Sequence, residues 1–244
     1  MKNKTKKIKV LKFIALIIGI VIVIYNIAYL FPIMKNIATP EGRELFKNEI
    51  TNSGIKGIFM LFSLQVAQLF LAILPGEPLE ILAGMCYGAV GGTIFILVTI
   101  FITTTAIFFL VKKFGKRFVY EFFNKRKIDK IQKSKIFNNS RKIEIILFIL
   151  FFLPGTPKDL LVYLGGILPI KPLRFIFIAT FARFPSIISS TLAGSNIMEG
   201  DLKSIVFIYI FTFALAIAVF ALINVFDKNK ETQGAINALY DEKK

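Results

Sequence analysis

Two short polar insertions interrupt an otherwise apolar chain: LPGEPLE at residues 74–80 and LPGTPKD at residues 153–159. Placed in register, at an offset of 79 residues, they share Leu74/Leu153, Pro75/Pro154, Gly76/Gly155 and Pro78/Pro157, with an acid at Glu80/Asp159. Glu77 and Lys158 are charges of one copy only. The carboxyls of Glu77, Glu80 and Asp159 can exchange protons, and burial raises a carboxyl pKa toward a useful range. Lys158, joined by Arg183 further along, can hold an anion such as a phosphate headgroup, as can two helix N-termini. The chain has no histidine, so any proton coupling must run through those carboxylates.

The spacing also has a local meaning. Gly76 and Gly155 permit a break, and Pro78 and Pro157 suit the first turn of a new helix, where a missing N–H costs nothing. Thr156 with Asp159 reads T-x-x-D, close to a capping box, and Glu80 holds the matching position in the first copy. Glu80 and Asp159 are thus helix caps or ligands, and the pattern alone leaves both open. Capping does not cover Glu77 and Lys158. Each charge at mid-bilayer costs roughly 2.5–3.5 kcal/mol, so four approach about 10 kcal/mol if exposed to lipid. Caps worth about 1 kcal/mol each cannot offset that. The expectation is that both breaks lie inside the protein around a polar, wet cavity.

Arg183 sits in IATFARFPSIISSTLAGSN, directly before Pro185. It either snorkels to the cytoplasmic headgroups or pairs with Asp159 or a ligand anion. Ser186, Ser189, Ser190 and Thr191 continue a polar stripe, which Thr99, Thr103 and Thr105 can extend unless they bond their own helix.

The elements that must position these residues are membrane helices. The chain is 55% hydrophobic with a mean hydropathy of +0.69, and several apolar runs reach the roughly 18–20 residues that cross a bilayer. Residues 1–32 read as an uncleaved first span and 33–56 as an outer loop. Residues 57–226 form the membrane domain, and 227–244 a cytoplasmic tail. Inside the domain, apolar segments too short to cross flank each break, so hairpins at about 57–90 and 143–169 are expected to re-enter by the face they left. Full spans are expected at about 93–111, 175–195 and 205–226. The loop 112–142 carries twelve Lys/Arg against Glu121 and Asp129, with Phe114, Phe118 and Phe122 at helical spacing, as are Val119 and Phe123. It reads as a basic amphipathic helix on the cytoplasmic surface. This topology puts 24 of the 31 Lys/Arg inside and agrees with the positive-inside rule.

Absences narrow the function. Phosphatidic-acid-type lipid phosphatases, rhomboid-like serine proteases and intramembrane zinc proteases all need histidine. With one cysteine, no Trp and no GxxxxGK[ST] loop, no enzyme, cofactor or metal site is expected, and a transport or structural role becomes the default.

LPGEPLEILAG…YG…GG, the basic loop, LPGTPKDLLVYLGG and ARFP…LAGS together resemble the VTT-domain proteins, also called SNARE-associated Golgi proteins, of the DedA superfamily. The resemblance covers about residues 57–196. It implies two facing re-entrant hairpins and movement of lipids between leaflets, with undecaprenyl phosphate and phosphatidylethanolamine among the family's substrates. Glu77 matches the acid that follows LPG in the DedA pattern. Many relatives place an arginine shortly before the second proline; this chain has FILFFLP there, and Lys158 or Arg183 is left to fill that role.

The expected fold class is an all-α polytopic membrane protein, an inverted repeat with two facing re-entrant helical hairpins, about four full spans and a cytoplasmic amphipathic helix. The expected function is a flippase- or scramblase-like lipid translocase in the cell (inner) membrane, with both termini cytoplasmic. Partners are membrane lipids, with anionic headgroups at the 112–142 loop, and a homo-oligomer is compatible. A small-ion or solute transporter and a non-transporting membrane organiser are the alternatives.

Overall fold

A computed structural model describes residues 39–71, 76–133, 140–153 and 156–226, together with Val21 and Tyr25. Among the described residues the chain is helical, without strands. The elements are α1 (Pro40–Asn52), α2 (Ile55–Leu71), α3 (Glu77–Phe114), α4 (Lys116–Val119), α5 (Lys125–Lys133), α6 (Ser140–Phe152), α7 (Lys158–Gly165), α8 (Pro172–Phe181), α9 (Phe184–Glu199) and α10 (Leu202–Phe226). They divide into two compact units, residues 1–100 with 187–208, and residues 101–186 with 209–244. The first span expected at 1–32 and the tail 227–244 lie outside the described residues, Val21 and Tyr25 excepted.

In the first unit, the stretch expected to be a loop contains α1. Thr39 caps it, accepting from the Gly42 N–H at 3.1 Å, and Pro40 supplies a pre-set φ in the first turn. Its buried Gly42, Phe46 and Ile50 recur every four residues, the spacing of one helix face. Gly54, at φ 53°, turns the chain so that α1 and α2 bend by 105°. Phe46 and Ile50 then pack with Leu61 of α2 and with Leu82, Met85 and Cys86 of α3. The 38 residues of α3 contain one non-helical position, Gly88 (φ 71°, ψ 177°), a region essentially confined to glycine. The break falls two residues from the expected end of the first hairpin. It separates a short segment from Glu77 to Tyr87 from a longer one that runs to Phe114.

In the second unit, Phe108 at the end of α3 stacks on Phe175 of α8 at 5.4 Å, and Phe151 of α6 meets Phe175 edge-on at 6.1 Å. α7 ends in Gly165 against the Phe175 ring and Gly166 against Val111, positions that leave no room for a side chain. An ion pair between Arg174 and Glu144, 3.1 Å, links α8 to α6 at the surface.

The basic loop differs from the continuous amphipathic helix expected there. Gly115 (φ 72°, ψ −165°) ends α3, and only the four residues of α4 follow before a turn and α5. The apolar residues face protein: Phe118, Phe122 and Phe123 surround the Tyr163 ring at 6.2, 4.9 and 5.2 Å, and Ile128 and Ile131 are fully buried. Tyr120 donates a hydrogen bond to Asp129, tying the turn to α5. The phenylalanine spacing therefore records packing on α7.

Two helices among the described residues are long and apolar enough to cross a membrane, Glu77–Phe114 and the stretch Pro172–Glu199, or three if the bent α1–α2 pair is one span. The stretch expected to be one span at 175–195 has a turn at Ala182 and Arg183, between α8 and α9.

The last expected span lies in α10. Asp201 caps it, its carboxylate accepting from the Ser204 N–H at 3.1 Å and from the Ser204 hydroxyl. Those bonds hold the Asp201 carboxyl below its ordinary value of 3.8. A depressed folded pKa stabilises the cap above the unfolded pKa, and that contribution is lost as pH falls through the folded value. Hydrogen exchange of the Ser204 and Ile205 amides, corrected for intrinsic rates, should therefore accelerate as the medium becomes acid. Asp201→Asn should keep the cap and lose that acid dependence; an unchanged pH profile in the variant would refute the assignment.

Candidate functional site

The second break is built from the end of α6 and the start of α7. The Thr156 hydroxyl donates to the carbonyls of Leu150 and Leu153, the latter at 3.1 Å, closing the open end of α6. It does not cap α7: Pro157 holds the N-cap position, with no side-chain cap. The T-x-x-D spacing thus marks the end of one helix, not the start of the next, and a partner of Asp159 lies further along the chain. That partner is Arg183, whose Nη2 lies 3.9 Å from Asp159 Oδ1.

Arg183 is 5% exposed, its head enclosed by protein, unlike a snorkelling arginine. Its guanidinium carbon stands 5.0 Å from the centroid of the Phe151 ring. The turn between α8 and α9 places it there. At 3.9 Å the ion pair is long, well outside the 2.7–2.9 Å of a charge-assisted hydrogen bond. The Phe151 ring face and the Asp159 carboxylate are thus two neighbours of the buried guanidinium. Thr180, one turn before Arg183, buries its hydroxyl without a hydrogen-bond partner among the described residues. Lys158, the first residue of α7, is half-buried.

The first break belongs to the other unit. The Gly76 carbonyl accepts from the Leu79 and Glu80 N–H groups at 3.0 and 3.1 Å, and so opens α3. Pro78 lies in the first turn, Glu77 is exposed and Glu80 is buried. Pro75, Pro154 and Gly155 lie outside the described residues. Asp159 and Arg183 are two candidate residues that the structure brings together as an ion pair.

Part of the polar stripe is structural. Thr99 and Thr105 donate to the carbonyls four residues back, Phe95 and Phe101, at 2.9 and 2.7 Å. Thr191 bonds Thr93 across α9 and α3 at 2.7 Å. Ser189 and Ser190 are buried, and no group of three or more His, Cys, Asp or Glu among the described residues could hold a metal ion.

Two residues were missed by sequence reasoning. Gln65 and Gln68 of α2 are buried, with Gln65 Nε2 donating to Gln68 Oε1 at 3.4 Å. The Gln68 amide packs on Gly76, 3.4 Å from where a β-carbon would sit. Two amides three apart in GIFMLFSLQVAQLFLAI were the available signal.

The family model of the VTT domain matches residues 74–196, half of the chain, from the first break to the end of α9. No curated protein and no solved structure matches.

Proposed function

This chain belongs to the VTT-domain family, the SNARE-associated/DedA family of membrane proteins, and from that premise we propose that it is a lipid translocase. It would move a phospholipid or undecaprenyl phosphate between leaflets of the cell membrane without covalent chemistry. In this reading the segments around the two breaks are re-entrant, about four helices span, and both termini are cytoplasmic. The exposed cations of the loop, Lys112, Lys113, Lys116, Arg117, Lys125 and Arg126, would attract anionic headgroups.

The observation that carries the proposal is the buried Arg183 between Asp159 and the Phe151 ring. A headgroup phosphate is a stronger bidentate partner for a guanidinium than a carboxylate held at 3.9 Å. Phosphate would displace Asp159, and the displaced carboxylate, half-buried and parted from that cation, would take up a proton. Loss of that proton would restore the ion pair and expel the phosphate. The cycle couples lipid movement to protonation at one residue. Lys158 at the start of α7 supplies a second cation, in the role that FILFFLP leaves vacant.

The test is translocation by purified full-length protein in liposomes carrying fluorescent phospholipid or undecaprenyl phosphate. Wild type should accelerate lipid exchange between leaflets, and Arg183→Ala should abolish the acceleration. No acceleration with any lipid across a range of pH, with folded protein, would overturn the reading; ion flux under the same conditions would put a small-ion transporter in its place.

A further inference from the structure

Gln65 is an expensive residue to bury where it lies. A glutamine amide can make four hydrogen bonds, and one left buried and incomplete is costly. Gln65 is 2% exposed, and its Oε1 has no hydrogen-bond partner among the described residues. The bond its Nε2 makes to Gln68 Oε1, at 3.4 Å, lies at the weak limit of such contacts. A methionine or leucine of similar volume at position 65 would fill the same place in an apolar helix without that penalty. The pair lies against Gly76, where the backbone opens the N-terminus of α3. The segment 57–92 adds two carboxylates, Glu77 and Glu80, and contains no lysine or arginine. Its chemistry is that of a hydrogen-bond acceptor.

We propose that the Gln65–Gln68 pair over the Gly76 break is a headgroup-reading subsite, in which Gln65 Oε1 accepts a hydrogen bond from an ammonium or hydroxyl of a phospholipid. The inference rests on the lipid-translocase reading and adds selectivity to it. Ethanolamine and glycerol headgroups carry N–H or O–H donors. A choline headgroup carries none, and its bulk would leave the amide oxygen unpaired. The subsite therefore separates donor-bearing lipids from phosphatidylcholine.

Binding, not transport, provides the test. Full-length protein in detergent would be titrated with dihexanoyl phosphatidylethanolamine, phosphatidylglycerol and phosphatidylcholine, with thermal unfolding recorded for each variant. Wild type should bind the two donor-bearing lipids about threefold to tenfold more tightly than the choline lipid, the yield of one buried hydrogen bond. Gln65→Met and Gln65→Leu should each bring the three affinities together while the protein melts at or above the wild-type temperature. Equal affinities in wild type would overturn the proposal. So would a preference that survives in the variants, and a large fall in melting temperature with that preference intact would identify the pair as an interhelical clamp. Should liposome transport fail while the binding preference holds, the translocase reading falls and the subsite stands.

Discussion

Asp159→Asn should destabilise the protein more than Arg183→Met, although the two changes break the same ion pair. The asymmetry follows from burial: the Arg183 side chain is 6% exposed and that of Asp159 26%. Neutralising Asp159 takes a counter-charge away from a buried cation, and breaking a buried pair from one side typically costs roughly 3–5 kcal/mol. The loss should fall near the lower end, because Phe151 still presents its ring to the guanidinium. Removing the arginine instead leaves a carboxylate that is partly open to its surroundings, so the cost is smaller. The double variant carries neither charge and should recover most of the stability, since an apolar replacement for a buried pair is often neutral. Transport should not recover with it. Thermal unfolding and liposome exchange on the four proteins complete the cycle. Additive stability losses would deny that the two side chains act as a unit. A double variant that transports would remove both from the site.

That separation of folding from function also shows what the sequence could reveal. The repeated PGxP marked both breaks because prolines and glycines act through backbone geometry, which is local. The helix starts at Glu77 and at Lys158 follow within a few residues of those signals. Arg183 stood out as a cation in an apolar run, and its alternatives included the partner it has in the structure. Asp159 was harder. Its spacing from Thr156 mimics a capping box, yet the threonine turns back to Leu150 and Leu153, a choice decided by which carbonyls α6 leaves open. The phenylalanines of 114–123 have helical spacing, and one residue, Gly115, redirects them onto Tyr163. Periodicity gives a face, but not what covers it. Gln65 and Gln68 were passed over because uncharged amides hardly disturb an apolar pattern; burial is what distinguishes them.

Gly84→Ala and Gly194→Ala should each destabilise the first unit severely, although alanine is the better helix former at both positions. A β-carbon on Gly84 would lie 2.2 Å from the Thr191 carbonyl oxygen, and one on Gly194 would lie 2.1 Å from that of Ile81. Both obstacles are backbone atoms of the opposing helix, so no side-chain rotation relieves them. α3 and α9 would have to separate by about 1 Å, weakening the dispersion contacts along the crossing. The Thr93–Thr191 hydrogen bond, 2.7 Å between two buried hydroxyls, would stretch as they part. Overpacking of this kind costs roughly 1–3 kcal/mol when side chains can adapt, and here they cannot, so the upper part of that range is expected. The gain in helix propensity, about 1 kcal/mol, opposes it and loses. Gly91→Ala is the control: on the same helix its β-carbon would meet little beyond Tyr87 Cβ at 3.3 Å, so propensity should dominate and stability hold or rise slightly. The double variant at 84 and 194 should cost less than the sum of the singles, because helices already forced apart admit the second methyl more easily. Thermal unfolding in detergent decides the matter. A Gly84→Ala protein that melts with wild type would mean that the two helices do not cross this closely.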